Sequence, residues 1–307
     1  MAGGKRNDHQ VGLGGDRALG AAQIGHQDGS KELRQRLRKG HEFGRVGQLR
    51  QQPCRHEGAD LDLALAGLFV SVLVPNLRGA ESALAAQADL MIVPLSASHA
   101  HSLANLRKTP DDVVAEVAKI RAARDTAGSK TLIEGGVGTA FGCTLQGDVD
   151  KREVLRLMQA LLDAGADRVS LADTVGYADP AMVRELFEEA LHIAGDRFWC
   201  GHFHDTRGLG LANVYAALEV GVARFDACLA GIGGCPHAPG ASGNVSTEDL
   251  AYMLGSMGIA TGIDIAQLLA LRARVAGWLA GETLHGTLWQ AGLPKTFPAA
   301  SSLALAA

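Results

Sequence analysis

Six short β-type runs, each followed by a turn and a helical pattern, constrain this chain more than any other feature of its sequence. They are Val70–Pro75, Asp89–Pro94, Thr131–Ile133, Arg168–Leu171, Arg197–Phe203 and Arg224–Leu229. Between the later runs lie amphipathic stretches. In 151–164 an apolar stripe comprises Val154, Leu155, Leu157, Met158, Leu161 and Leu162, and in 180–194 Met182, Val183, Leu186, Phe187 and Ala190 repeat it. The phrases 163–167 (Asp-Ala-Gly-Ala-Asp) and 219–223 (Glu-Val-Gly-Val-Ala) share one form, in which a helix end and a glycine cap lead by a short link into the next strand. Strands alternating with helices of this length make parallel βαβ units, and a run of them with short links predicts a (β/α)8 barrel of the TIM type. An open doubly wound sheet fits less well, and no Gly-x-Gly-x-x-Gly supports its dinucleotide-binding version.

Composition bears on function chiefly through its unevenness. Residues 1–60 carry 11 of the 29 Lys/Arg but 7 of the 33 Asp/Glu, with twelve glycines, one serine and no threonine, so this segment is about +4 and the remainder about −8. It shows no strand pattern and lacks the apolar centre of a secretory signal. A short helix around 31–39 is conceivable there. The division expected is an atypical basic Gly/Gln/Arg-rich segment over 1–65, disordered or foreign to the fold, a partial barrel over 66–285, and a C-terminal tail over 286–307. The overall charge of −4 without a basic cluster argues against nucleic acid. Apolar runs fall short of the roughly 18 residues of a membrane span. Five scattered cysteines without a Cys-x-x-Cys pair suit a reducing compartment, hence a cytoplasmic setting.

In such a barrel the chemistry sits at the carboxyl ends of the strands, and the polar residues gather there. Ser96-Ala-Ser-His-Ala-His101 follows the second run, Ala172-Asp-Thr-Val-Gly176 the fourth, Gly201-His-Phe-His-Asp205 ends the fifth, and Gly231-Ile-Gly-Gly-Cys-Pro236 follows the sixth. Residues two apart on a strand share a face, so His202 and His204 project together. Two imidazoles on one face suit a divalent cation, and Asp205 beside them could orient one ring. Asn244, in the loop Gly240-Ala-Ser-Gly-Asn244, is a candidate oxygen ligand. The stretch 231–244 contains five glycines and two prolines around Cys235, a thiol placed to exchange a proton over such a site. Glu248, in Ser246-Thr-Glu-Asp249, suits a helix N-terminus.

These motifs, together with Val74-Pro-Asn-Leu-Arg-Gly79 and Phe141-Gly-Cys-Thr-Leu-Gln-Gly147, closely resemble the 3-hydroxy-3-methylglutaryl-CoA lyase family, metal-dependent TIM barrels related to isopropylmalate synthase. The resemblance covers about residues 70–284. It implies retro-Claisen cleavage of a hydroxymethylglutaryl thioester to acetoacetate and acetyl-CoA, with Mg²⁺ or Mn²⁺ as cofactor and leucine breakdown as the usual setting. By match to the motifs, His202, His204 and Asn244 are metal ligands, and Cys235 transfers a proton to the enolate. Asp173, Thr174 and Asp205 line the pocket, and Glu248 supports the ligand-bearing loop. An acyl-CoA is the expected partner, and a homodimer stays open.

Three departures stand out. His99 falls where much of the family has an acidic residue. The Gly-x-Arg-Asp-Gly-x-Gln that ends the family's first strand is absent, and with it an arginine and a metal-binding aspartate. The second strand is absent too, unless Leu68-Phe-Val-Ser71 is its remnant. Six strands are recognisable where eight are needed, which would leave two sheet edges. Alternative readings are therefore an inactive, truncated or mis-framed form whose first 65 residues do not belong to the fold, and a sibling lyase or Claisen-condensing enzyme acting on another acyl-CoA.

Overall fold

The computed structural model describes residues 68–297 apart from Pro239. The basic segment over 1–65, with its conceivable helix, lies outside the described residues. Within them the chain forms one parallel sheet in sequence order: β1 (Ser71–Leu73), β2 (Leu90–Ser96), β3 (Leu132–Gly138), β4 (Arg168–Asp173), β5 (Phe198–Phe203) and β6 (Phe225–Asp226). The intervening helices are α1 (Leu77–Ala85), α2 (His99–Leu106), α3 (Pro110–Thr126), α4 (Lys151–Asp163), α5 (Pro180–Ala194) and α6 (Gly210–Val220). After β6 come α7 (Thr247–Ser256), α8 (Ile265–Trp278) and α9 (Leu288–Ala291). The architecture is an incomplete, curled α/β barrel of six strands. Among the described residues β1 and β6 each have a single strand neighbour.

Local chemistry accounts for the helix boundaries. Thr109 and Asp112 form a reciprocal capping box ahead of α3, with Pro110 at its first position, and Asp179 followed by Pro180 opens α5 in a similar way. A side-chain cap of this kind is worth about 1 kcal/mol. Helix α4 buries all six residues of the expected stripe, Val154 to Leu162, against the sheet.

The strands shift their bounds from expectation, and β3 and β6 depart furthest in length. β3 continues through Gly135, Gly136 and Gly138, residues that individually disfavour strands. Packing requires at least one of them: a Cβ on Gly135 would stand 2.8 Å from Leu161 Cδ1 of α4. The helix therefore comes so close to the sheet that β3 tolerates no side chain there. Conversely, β6 pairs over two residues only. Beyond Asp226 the chain turns into a 3₁₀ segment, Leu229–Gly231, with Ala230 in a left-handed conformation (φ 58°).

The same Gly135 contact shows which face of β3 meets the helices, so Glu134, Gly136 and Gly138 face the barrel interior. On β5 a Cβ at Gly201 would meet Phe187 of α5 at 3.1 Å, placing His202 on the inner face. At the amino-terminal end Trp199 lies between the Arg168 and Arg224 guanidiniums, 3.3 and 3.7 Å from its ring centroid. The candidate site lies at the other end.

Over its described part the stretch from 286 packs against α7 and α8. Leu288 is buried with Ala251 and Ile265, and the Thr287 and Leu288 amides donate to the Asp249 carboxylate of α7 at 2.8 Å. Among the described residues no helix is long and apolar enough to cross a membrane, and Cys143, Cys200, Cys228 and Cys235 are all free thiols.

Candidate active site at the carboxyl ends of the strands

β5 delivers His202 and His204 to the strand end with ring centroids 5.3 Å apart. Here the strand is extended by a backbone bridge. The Val245 amide donates to Phe203 O (3.0 Å) and the Asp205 amide to Gly243 O (2.9 Å), which sets Asn244 antiparallel to His204. Two residues 40 apart in sequence thus become neighbours. The Asn244 Nδ2 donates to Ile232 O at 2.8 Å, fixing the amide plane, while its Oδ1 is buried without a hydrogen-bond partner. His204 Nδ1 is also buried and unpartnered. Burial, helped by the neighbouring His202, pushes the His204 pKa down to about 3, so its imidazole is neutral and its lone pair free.

A buried amide oxygen and a buried imidazole nitrogen left without partners are costly, and donors of these types suit a divalent cation. They provide part of a coordination shell. Among the described residues no group of three or more His, Cys, Asp or Glu could hold a metal by itself, which leaves positions of the shell open to substrate or solvent oxygens.

The carboxylate beside the histidines is not Asp205. Its Oδ1 accepts from the Gly210 amide (2.8 Å) at the start of α6, so Asp205 caps a helix. A carboxylate that does face His202 is that of Asp226 in β6, whose Oδ2 is 3.7 Å from Nδ1. Asp173 is buried, accepts from the Tyr177 and Ala178 amides (2.8 and 3.1 Å), and has its pKa raised by burial. Thr174 Oγ1 accepts from the Thr139 amide (2.8 Å), tying the β3 and β4 ends together. Asp173 and Thr174 thus fix the backbone at the β3 and β4 ends.

Glu248 lies beneath the cysteine loop. It is fully buried, accepts from the Ala230 amide with both oxygens (3.1 Å each), and pairs with Arg272 of α8 at 2.6 Å. Arg272 also donates to His285 O (2.7 Å), and the His285 amide donates to Ala230 O (2.8 Å). Cys235, on the loop so anchored, is half-buried, with Sγ 3.7 Å from His101 Nε2. Sequence reasoning missed His101, Asp226 and Arg272 as contributors. His101 lay in plain view within the polar run after β2, whereas Arg272 looks like any helical arginine until α8 is packed.

Gly243 allows the loop to approach: it has φ +112°, and a Cβ there would collide with Gly231 O. Gly243→Ala should therefore cost about 2–4 kcal/mol from backbone strain plus overlap and displace Asn244. Gly240→Ala, also at positive φ (+76°) but with nothing within 4 Å, should cost only about 1 kcal/mol. Equal thermal melts for the two variants would contradict this packing.

A partial barrel whose strand ends combine two histidines, an amide oxygen and a loop cysteine defines a class of barrel lyase. The HMGL-like family profile matches residues 61–275, and the chain belongs to this family. It is 38% identical over 204 residues to a hydroxymethylglutaryl-CoA lyase of Bacillus subtilis, covering 66% of this chain and 68% of that protein. With an (R)-citramalyl-CoA lyase of Chloroflexus aurantiacus it shares 36% over 237 residues, covering 76% and 72% respectively. The structure superposes on an HMG-CoA lyase from Acinetobacter baumannii, solved with coenzyme A and 3-methylmalate, with a TM-score of 0.70 and 40% identity over 77% of this chain and 78% of that one. The chain is accordingly a carbon–carbon lyase by family.

Proposed function

We propose that the chain cleaves 3-hydroxy-3-methylglutaryl-CoA to acetoacetate and acetyl-CoA with the aid of a bound divalent cation, Mg²⁺ or Mn²⁺. The observation that carries this reading is the convergence of His202, His204 and Asn244, two of them with buried, unpartnered donor atoms, beside the loop bearing Cys235. His202, His204 and Asn244 would hold the cation, which when bound supplies Lewis-acid polarisation of the substrate's oxygens. Asp226 orients the His202 ring. The substrate hydroxyl loses its proton, the carbon–carbon bond breaks, and the Cys235 S–H delivers its proton to the enolate carbon of the departing acetyl-CoA. Glu248 and Arg272 act through the loop, holding Cys235 and Asn244 in register. The acyl-CoA as partner, a cytoplasmic setting and a place in leucine breakdown belong to the same proposal.

A second reading is favoured by one specific observation. The sequence contains no Arg-Asp-Gly, and the donors gathered at the described site are two imidazoles and one amide, with no group of three or more His, Cys, Asp or Glu among the described residues able to hold a metal. In this reading the chain binds metal weakly and does not turn over.

The test separates the two. The full chain is assayed with Mg²⁺ or Mn²⁺ for acetyl-CoA release from hydroxymethylglutaryl-CoA and from citramalyl-CoA, and Mn²⁺ affinity is measured by electron paramagnetic resonance. The first reading expects turnover on the former thioester, a loss of about 10²–10⁴-fold in Cys235→Ala, and loss of Mn²⁺ binding in His204→Ala. Mn²⁺ binding without turnover on either thioester supports the second reading. Preference for citramalyl-CoA would change the acyl group and leave the site assignment in place.

A further inference from the structure

His101 is fixed on one side and faces the candidate proton donor on the other. Ser98, the N-cap of α2, accepts from the His101 amide at 3.1 Å, which sets the backbone. The Ser96 hydroxyl at the end of β2 lies 2.7 Å from His101 Nδ1, and both side chains are buried. The opposite ring nitrogen, Nε2, is the one 3.7 Å from Cys235 Sγ, within hydrogen-bonding reach for sulfur. His237, from the cysteine loop, stands edge-on to the ring with centroids 5.2 Å apart. The ionisable groups set against His101 are therefore Cys235 and His237, both from the loop after β6, while β2 contributes a neutral hydroxyl. Burial, and then the proximity of His237, hold the His101 pKa below its usual value, so the ring is a neutral base near pH 7.

The geometry points to His101 and Cys235 as a proton-sharing pair, with His101 the positioning residue that sets the protonation of the thiol and Ser96 the group that holds its ring. The arrangement follows the nucleophile–base–orienter logic of activated thiols. In the forward step the Cys235 S–H bond breaks as an N–H bond forms at Nε2, leaving thiolate and imidazolium, with Nδ1–H donating to Ser96 Oγ. In the return step Nε2–H gives its proton back to sulfur. In catalysis, once the Cys235 proton has gone to the enolate carbon, the proton released by the substrate hydroxyl is taken up at His101 Nε2 and returned to sulfur, so the protons balance over the cycle without an outside reagent. This role rests on the lyase reading above, but the pairing itself is a property of the two side chains.

The experiment uses the full chain and a readout independent of turnover. Alkylation of Cys235 by iodoacetamide is followed by peptide mass analysis across pH. Cys228 serves as the internal reference, since burial pushes its thiol up to about 11. In His101→Phe the midpoint of the Cys235 profile should move up by about one pH unit, with about tenfold slower labelling near pH 7. Ser96→Ala should shift it the same way by less. If His101→Phe misfolds, which labelling of the buried Cys143 and Cys200 would report, His101→Asn retains a polar partner for Ser96 and is measured instead. An unchanged midpoint in the folded variant overturns the pair. A shifted midpoint in a chain that cleaves no thioester leaves the pair standing and removes the lyase reading. An unchanged midpoint alongside turnover that depends on Cys235 does the reverse.

Discussion

Arg272→Met should lower the stability of the folded chain by about 3–5 kcal/mol, the range expected when one partner of a buried ion pair is removed. Glu248 has no access to solvent and Arg272 is 2% exposed, so neither charge can be rehydrated without opening α7 from α8. The variant strands the Glu248 carboxylate with backbone amides, those of Ala230 and Glu248 itself, in place of a cation, and frees His285 O, to which the guanidinium donated. Chemical denaturation measures the loss, and a deficit below about 1 kcal/mol would show the pair to be solvated. Adding Glu248→Gln should recover part of it, because the double variant no longer buries an unpaired charge. Burial already raises the Glu248 pKa in the native chain. Without its cation that shift grows, so the deficit should shrink on acidification, once the carboxyl is protonated in both folded and unfolded states. The site should respond too. Ala230, whose amide Glu248 holds, opens the loop that carries Cys235 and leads to Asn244, so Mn²⁺ affinity should fall together with stability.

The second large effect is expected from Glu134→Gln, with the opposite sign. Glu134 is buried in the barrel interior, where one oxygen accepts from Ser170 Oγ and the other has no partner. Burial, with help from the charge of Asp226, pushes its pKa up to about 8. The sign follows from linkage. Between the unfolded value near 4.5 and about 8, the native state holds a proton that the unfolded state has lost, so stability falls as pH rises through that window. The slope is at most about 1.4 kcal/mol per pH unit. Glutamine keeps an acceptor for Ser170 and cannot ionise. The variant should match the parent near pH 4 and exceed it by several kcal/mol above pH 8. Melting temperatures that run parallel across this range would mean that Glu134 is not buried as a neutral acid.

Much of the fold was legible because it rests on local periodicity. The stripe of α4 and the alternation of strand and helix are properties of neighbouring residues, and the structure uses them as written. β3 was read short because its glycines oppose strand formation locally. Only the approach of Leu161 from α4 explains their presence. β6 was read long because its apolar run continues past the point where Ala230 leaves the sheet. At the site, His202, His204, Asn244 and Cys235 were legible as motifs, and the backbone bridge from Phe203 to Val245 brings Asn244 beside His204. The bond of Asp205 to the Gly210 amide was not legible from its place beside the histidines, because adjacency in sequence is a poor guide on a strand. Successive residues point to opposite faces, so the carboxylate reaching His202 comes from the next strand, as Asp226, while Asp205 turns away to cap α6.

The sequence by itself determined the class of barrel, the order of its strands, the end at which chemistry gathers and the residue types available there, because these depend on period, turn chemistry and short motifs. The tertiary structure alone decided which groups work together. It placed Asp226 on His202, Arg272 on Glu248, and His101 between Ser96 and Cys235, pairs separated by 24 residues in two cases and 134 in the last. The physical reason is that a hydrogen bond or buried ion pair is specified by distance and desolvation, and for residues far apart along the chain neither exists until the strands and helices between them have packed.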